Sequence, residues 1–307
     1  MPRPLAALAP LALAASLAAA QPFPAPPELF VDDPFDGCEG LSFNGEGRLF
    51  AACNRAVWEI GPDATVRRVT DVHSNLGLAP IGDRDLVMAD FGPTNVFADG
   101  EEAPIDGVVW RIPPEGEKRR LAGEIRDPNA IVVRPDGALL VSDDGTDAIY
   151  RVTPDGGVSV FTRAVAYPNG LGLSRDGRTL YVAQIFRQMG PIMPDNRVWA
   201  LPLDAAGEPA GEPRLLAELG EEGFNDGLAL DSDGRVYVAE NAGGRIWRID
   251  PATGGKTLIA EGMPSVASLA FGHGDYGETT LYATATFRGG GKIWRVAVGA
   301  RGAPLHR

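Results

Sequence analysis

The stretch YPNGLGLSRDGRTLYVAQ, Tyr167 to Gln184, reads as two short strands around a tight turn. Apolar residues alternate on either side of Arg175-Asp176-Gly177-Arg178, and the glycine stands where a hairpin requires positive φ. One residue does not suit a strand that otherwise builds core. It is Asn169, an amide side chain at the strand's mouth.

The same pattern recurs along the chain. CEGLSFNGEGRLFAAC begins at Cys38, PNAIVVRPDGALLVSD at Pro128 and NDGLALDSDGRVYVAE at Asn225. Looser copies are NLGLAPIGDRDLVMAD from Asn75 and VASLAFGHGDYGETTLYATA from Val266. Each is followed by an aromatic third strand: AVWEIG, GVVWRIP, AIYRVTP, RVWALPL, RIWRIDP and KIWRVAV. Six copies spaced roughly 40 to 55 residues apart lie in the range of β-propeller blades. Helical periodicity with caps is missing. The sequence therefore predicts an all-β, six-bladed propeller over residues 28–305. The unpartnered run ELFVDD from Glu28 is expected to close the ring as the outer strand of the last blade.

In that fold the residue before each Gly-Leu, Ala-Ile or Ser-Leu pair lies in a ring around the axis. The six are Glu39, Leu76, Asn129, Asn169, Asp226 and Ala267. Two carboxylates and two amide oxygens, with no His or Cys, suit a hard cation. Ca²⁺ is favoured over Mg²⁺, which keeps its waters; Zn²⁺ and Mn²⁺ are the other divalent candidates. Without a cation the two carboxylates repel each other in a low-dielectric channel.

The bulk composition fits this reading. The chain has 307 residues, 22% charged and 44% hydrophobic, with a formal charge of −13 that argues against a nucleic-acid partner. MPRPLAALAPLALAASLAAA, residues 1–20, has the pattern of a cleaved export signal, followed by a Pro-rich lead-in at 21–27. A periplasmic or secreted protein with no membrane attachment after cleavage is expected. Cys38 and Cys53 flank one predicted hairpin and form either a disulfide or two buried thiols, with Cys53 opposite Cys38 or Glu39.

At these residues the sequence resembles the gluconolactonase/regucalcin (senescence marker protein) family of calcium-dependent six-bladed propellers, and more distantly the paraoxonases and diisopropyl fluorophosphatase. CEG, DPNAIVVRPDGALLVSD, YPNGLGLSRDGRTLYVA and NDGLALDSDGRVYVAE carry the resemblance. It implies metal ligands at Glu39, Asn169, Asp226 and Asn129, with Asp226 also the catalytic base. Asn129 contacts substrate instead of metal in some members. The chain departs from the family at Leu41, where Pro is common, and at Asp127, where some members carry an Arg that contacts sugar acids. Arg126 sits one residue earlier.

The expected chemistry is hydrolysis of a small lactone. The alternatives are a non-catalytic calcium-stabilised propeller that binds a ligand or protein, and a paraoxonase-like hydrolase of aryl esters or phosphotriesters. The second strands end at the same face as the ring, so Asp143, Gln184 and Glu240 are expected to meet substrate beside Asn129. Asn54, Asp90, Asp144 and Asn241 crowd the same face. Glu240 is expected opposite Asp226. The insertion Ile185 to Trp199 either covers the site with Phe186, Met189, Ile192 and Met193 or packs on the disc. His73, His273 and His306 make no catalytic constellation, there is no Gly-x-Ser-x-Gly elbow, and Gly289 to Gly291 read as a turn. A propeller of this kind is a monomer or weak oligomer.

Overall fold

A computed structural model describes residues 22–32, 35–94, 104–286 and 290–307. The export signal and Gly289 lie outside the described residues. Among these residues the chain forms six four-stranded antiparallel sheets, and the one helical turn is Gly274–Tyr276.

The blades follow the repeat. Blade 1 runs Cys38–Phe43, Leu49–Cys53, Ala56–Ile60 and Val66–Asp71 from axis to rim. The first strands of blades 2 to 5 are Leu78–Ile81, Pro128–Val133, Pro168–Leu173 and Asn225–Leu230. Blade 6 begins at Val266–Phe271, and its outer strand is Glu28–Val31, paired antiparallel with Ile293–Ala297. The N-terminal strand thus closes the ring as the sequence predicts, and covers the edge of Ile293–Ala297.

Six apolar clusters fill the wedges between neighbouring blades. Each second strand serves two wedges at once, because successive side chains point to opposite faces. In Leu49–Cys53, Leu49 and Ala51 face blade 6 while Phe50 and Ala52 face blade 2. Burial on both faces explains the apolar runs LFAAC, LLV and LYVA within these strands. A Cys38–Cys53 disulfide joins the first two strands of blade 1, whose register places these residues opposite each other.

One irregularity repeats in five blades. Three residues of the first strand face two of the second: Cys38 pairs Cys53 while Leu41 pairs Ala51, and Pro128 pairs Asp143 while Ile131 pairs Val141. The same bulge falls at Pro168/Leu171, Asn225/Leu228 and Val266/Leu269. A bulge frees a residue from the ladder and re-aims its side chain. The freed residues are the ring positions Glu39, Asn129, Asn169, Asp226 and Ala267, each with its successor.

The successor is glycine where two blades touch backbone to backbone. A Cβ on Gly170 would stand 2.1 Å from the Asp226 carbonyl oxygen, and one on Gly40 2.0 Å from that of Leu76. The Gly77 N–H donates to the Asn129 carbonyl at 2.9 Å. The spacing of the ring is therefore set by main-chain contact. Gly170→Ala is expected to lower unfolding free energy by about 1–3 kcal/mol, as overpacking does. Urea denaturation checks this, and an unchanged midpoint counts against the contact.

Two terminal segments brace the disc. Ala25 of the Pro-rich lead-in is buried and donates its N–H to the Ile259 carbonyl at 2.7 Å. At the other terminus, Ser232 N–H donates to the Arg301 carbonyl and Ala303 N–H to that of Leu230. The Arg307 guanidinium donates to the Gly45 carbonyl at 3.0 Å and pairs with Asp83 at 3.0 Å. Ala303 to His306 thereby line, with Leu171, Leu228 and Phe271, a cavity of about 160 Å³ at the far ends of the first strands.

Candidate active and metal site

The starts of the first strands converge on a second cavity, of about 440 Å³. Glu39, Asn129, Asn169 and Asp226 all line it, with Leu76. Ala267, the sixth ring position, is fully buried, and Thr286 of the same blade stands on the cavity.

Two further carboxylates complete the polar part: Asp127, one turn of chain before Asn129, and Asp144, just past the second strand of blade 3. Asp144 Oδ2 accepts from Asn129 Nδ2 at 3.0 Å and from Asn169 Nδ2 at 3.1 Å. One carboxylate thus orients both amides. Asn169 Oδ1 is left buried without a hydrogen-bond partner, as are Asp144 Oδ1 and Asp127 Oδ2. Asp226 Oδ2 accepts from Asn241 Nδ2 at 3.1 Å.

The electrostatics follow from crowding. Burial, then the charges of Asp226 and Asp127, raise the Glu39 carboxyl well above its ordinary range, opposed by a hydrogen bond from Asn129. Burial pushes Asp226 up to about 7 against the hydrogen bonds of Asn241 and the Gly227 N–H. Burial likewise pushes Asp127 to about 7, and burial with the Asp127 charge raises Asp144 well above the usual carboxylate range. Burial and mutual repulsion hold the four carboxylates of this cavity from ionising together.

A divalent oxygen-seeking cation fits this donor set. Among the described residues no three His, Cys, Asp or Glu side chains gather as a metal cluster. The candidate ring instead combines carboxylates with amide oxygens. The unpartnered, buried Asn169 Oδ1 and the carboxylates that resist ionisation are the two features a hard cation resolves.

The other expected substrate contacts lie elsewhere. Asp143, Gln184 and Glu240 are buried within the blades and do not line the cavity. Gln184 Oε1 accepts from Trp199 Nε1 at 2.9 Å and Glu240 Oε2 from Trp247 Nε1 at 2.7 Å. In blade 2, Asp90 does the same for Trp110 at 2.9 Å. In blades 2, 4 and 5 the polar residue ending the second strand is thus an acceptor for the indole of the third strand. In blade 3, where Tyr150 replaces Trp, Asp143 is fully buried and burial raises its carboxyl above the usual range. Glu240 pairs with Asn225, one residue from the expected Asp226, because the bulge shifts the register there.

Sequence reasoning passed over Arg55, Phe91 and Phe224, which the fold brings to the cavity, and it read Asp127 only as a departure from the family, whereas Phe186 stands at the site, as one of its two readings of the insertion expected. Phe186 opens a two-stranded hairpin, Phe186–Met189 with Ile192–Pro194. It lines the cavity with Ile185, whereas Ile192 and Met193 are exposed. His73 reaches the cavity edge, half-exposed, 3.6 Å from Asp90. His273 and His306 line the smaller cavity at the other end.

Known proteins share this pattern. Residues 140–287 match the family described as SMP-30/Gluconolactonase/LRE-like region. Regucalcin of Xenopus laevis is 32% identical over 210 residues, which is 66% of this chain and 58% of the frog protein. Pentonolactonase XacC of Haloferax volcanii is 26% identical over 223 residues, covering 66% of this chain and 73% of that protein. The chain spans about half the length of the regucalcins it matches. The crystal structure of a calcium-binding protein, regucalcin, from Agrobacterium tumefaciens superposes with a TM-score of 0.67 at 20% identity, over 93% of this chain and 98% of that one. Its likeness is one of fold. Repeat, bulged ring and matched region agree: the chain is a six-bladed β-propeller similar to the SMP-30/gluconolactonase/regucalcin family.

Proposed function

We propose that this protein is a divalent-cation-dependent hydrolase that opens the ester of a small lactone. The observation that carries the reading is the convergence of Glu39, Asn129, Asn169 and Asp226 on one cavity, with Asn169 Oδ1 buried and unpartnered. Relatives named as a pentonolactonase and a gluconolactonase support the reaction, and a structural neighbour named as calcium-binding supports the ion. Glu39, Asn169 and Asp226 would hold the cation, with Asn129 turned either to it or to substrate.

When bound, the cation supplies Lewis-acid polarisation of the lactone carbonyl and a counter-charge. Asp226 takes a proton from water as the water oxygen attacks the carbonyl carbon. Collapse of the tetrahedral adduct breaks the ring C–O bond, and the proton passes to the departing alkoxide. The product is a hydroxy carboxylate. Asn241 fixes the Asp226 carboxylate through its 3.1 Å hydrogen bond, so the base meets water in one orientation. Asp144 does the same for the two amides.

Export is the setting we propose, on the leader-like first 20 residues and the Cys38–Cys53 disulfide, since such bonds persist in oxidising compartments. Metal analysis of the purified protein, followed by pH-stat assays of a lactone panel with and without chelator, tests the whole reading. Stoichiometric Ca²⁺ and turnover abolished by chelator are expected. Tight metal binding with no turnover of any lactone or ester identifies a binding propeller instead.

A further inference from the structure

The cavity is chemically two-sided, and both sides bear on what it admits. Its amide donors are committed in part within the protein. Asn129 and Asn169 each give an amide proton to Asp144, and Asn241 gives one to Asp226. Ser74 Oγ donates to Asp90, and Asn75 Nδ2 to the Gly37 carbonyl. A polyhydroxylated ring entering here would find acceptors at the carboxylates for some of its hydroxyl protons, but no polar partner along the aromatic side, where each hydroxyl left unpaired carries a cost.

The apolar side is built, and built from two blades. Phe186 and Phe224 meet edge to face, ring centroids 5.8 Å apart, and Tyr167 braces Phe186 from behind at 6.1 Å. Phe224 is held at φ 57°, a left-handed conformation that bulky residues rarely adopt. The Asn241 N–H fixes that turn by donating to the Phe224 carbonyl at 3.0 Å. Tyr167 and Ser265, at the same place two residues before the ring, share this conformation, so the blade's own turn sets the backbone, and the Phe224 ring it presents lines the cavity.

Charge adds a third restriction. Glu39, Asp127, Asp144 and Asp226 carry four potential negative charges, which one dication and the Arg55 guanidinium do not fully balance. An anionic substrate is repelled, whereas an uncharged one becomes an anion only on hydrolysis and is then expelled.

Resting on the lactonase reading above, we infer that the cavity takes an uncharged lactone bearing a hydrocarbon substituent. The substituent lies against Phe186 and Phe224, and the ring carbonyl faces the carboxylate–amide ring.

Initial rates with saturating Ca²⁺ test this on δ-nonalactone, glucono-δ-lactone and the anionic glucaro-1,4-lactone. The alkyl lactone is expected to lead the polyol in kcat/KM by about tenfold or more, the scale that hydrocarbon pockets provide. The anionic lactone should be slowest. Phe224→Ala should cut kcat/KM for the alkyl lactone about tenfold more than for the polyol, chiefly through KM. Phe224→Leu, which keeps apolar bulk, should restore most of it, and this guards against a simple folding defect. A preference for the polyol or the anion overturns the inference while leaving a lactonase. Equal losses on all three lactones in Phe224→Ala also overturn it. Silence on every lactone removes the parent reading instead.

Discussion

Asp226→Asn is expected to lower kcat about 10³-fold at saturating Ca²⁺, within the range that general bases contribute. The substitution is nearly isosteric, and the asparagine oxygen still accepts from Asn241, so the melting curve should change little. Loss of one charge from the ring weakens metal binding, so the assay must hold Ca²⁺ far above its dissociation constant, measured by calorimetry for both proteins. A defect that disappears as Ca²⁺ rises assigns Asp226 to metal binding alone. A residual rate within tenfold of the parent protein rejects it as the base. Burial pushes this carboxyl to about 7 without a cation, and a neighbouring dication draws it down. The rising limb of kcat/KM with pH should therefore lie below 7, and it should vanish in Asp226→Asn.

The metal-free protein should lose stability as pH rises from about 4 to 7, and Ca²⁺ should remove most of that loss. The sign follows from proton linkage. Asp226 and Asp127 sit near 7 in the folded chain against an ordinary 3.8, so the folded state binds more protons between those values. Stability is full below the unfolded value and is lost as pH climbs through the folded one. Moving one carboxyl that far is worth roughly 4 kcal/mol. Glu39 and Asp144 shift in the same direction. Calorimetric melting in chelator and in excess Ca²⁺, from pH 4.5 to 7.5, reads the difference directly. Parallel curves would mean that no cation relieves these carboxylates.

The repeat made the fold legible because each blade needs the same turn, the same doubly buried second strand and the same aromatic third strand. Ring residues were legible for the same reason, as Asn169 has counterparts in Glu39, Asn129 and Asp226. The failures came where a single residue of register matters. A bulge leaves little sequence trace, so Glu240 looked like a neighbour of Asp226 when it pairs with Asn225. The roles of Gln184 and Glu240 were nonetheless written in the chain. Each copy that ends its second strand with a long polar acceptor carries a Trp in its third strand, as in Trp199 and Trp247. Asp144 was legible only as one of several polar residues at that face and Asp127 only as a departure from the family, because one carboxylate that holds amides of two blades exists only in the closed ring. The aromatic pair Phe186–Phe224 joins segments 38 residues apart and belongs to no copy of the repeat, so only the closed ring brings it together.

The residues from Arg301 to Arg307 lie across the end of the disc opposite the acidic cavity, tied to blade 5 by Ala303 and to blades 1 and 2 by Arg307. The disc therefore has two unlike faces, one carrying the carboxylate–amide ring and the other these seven residues. For attachment to a bead or electrode, the side of residues 301–307 is the one to glue down.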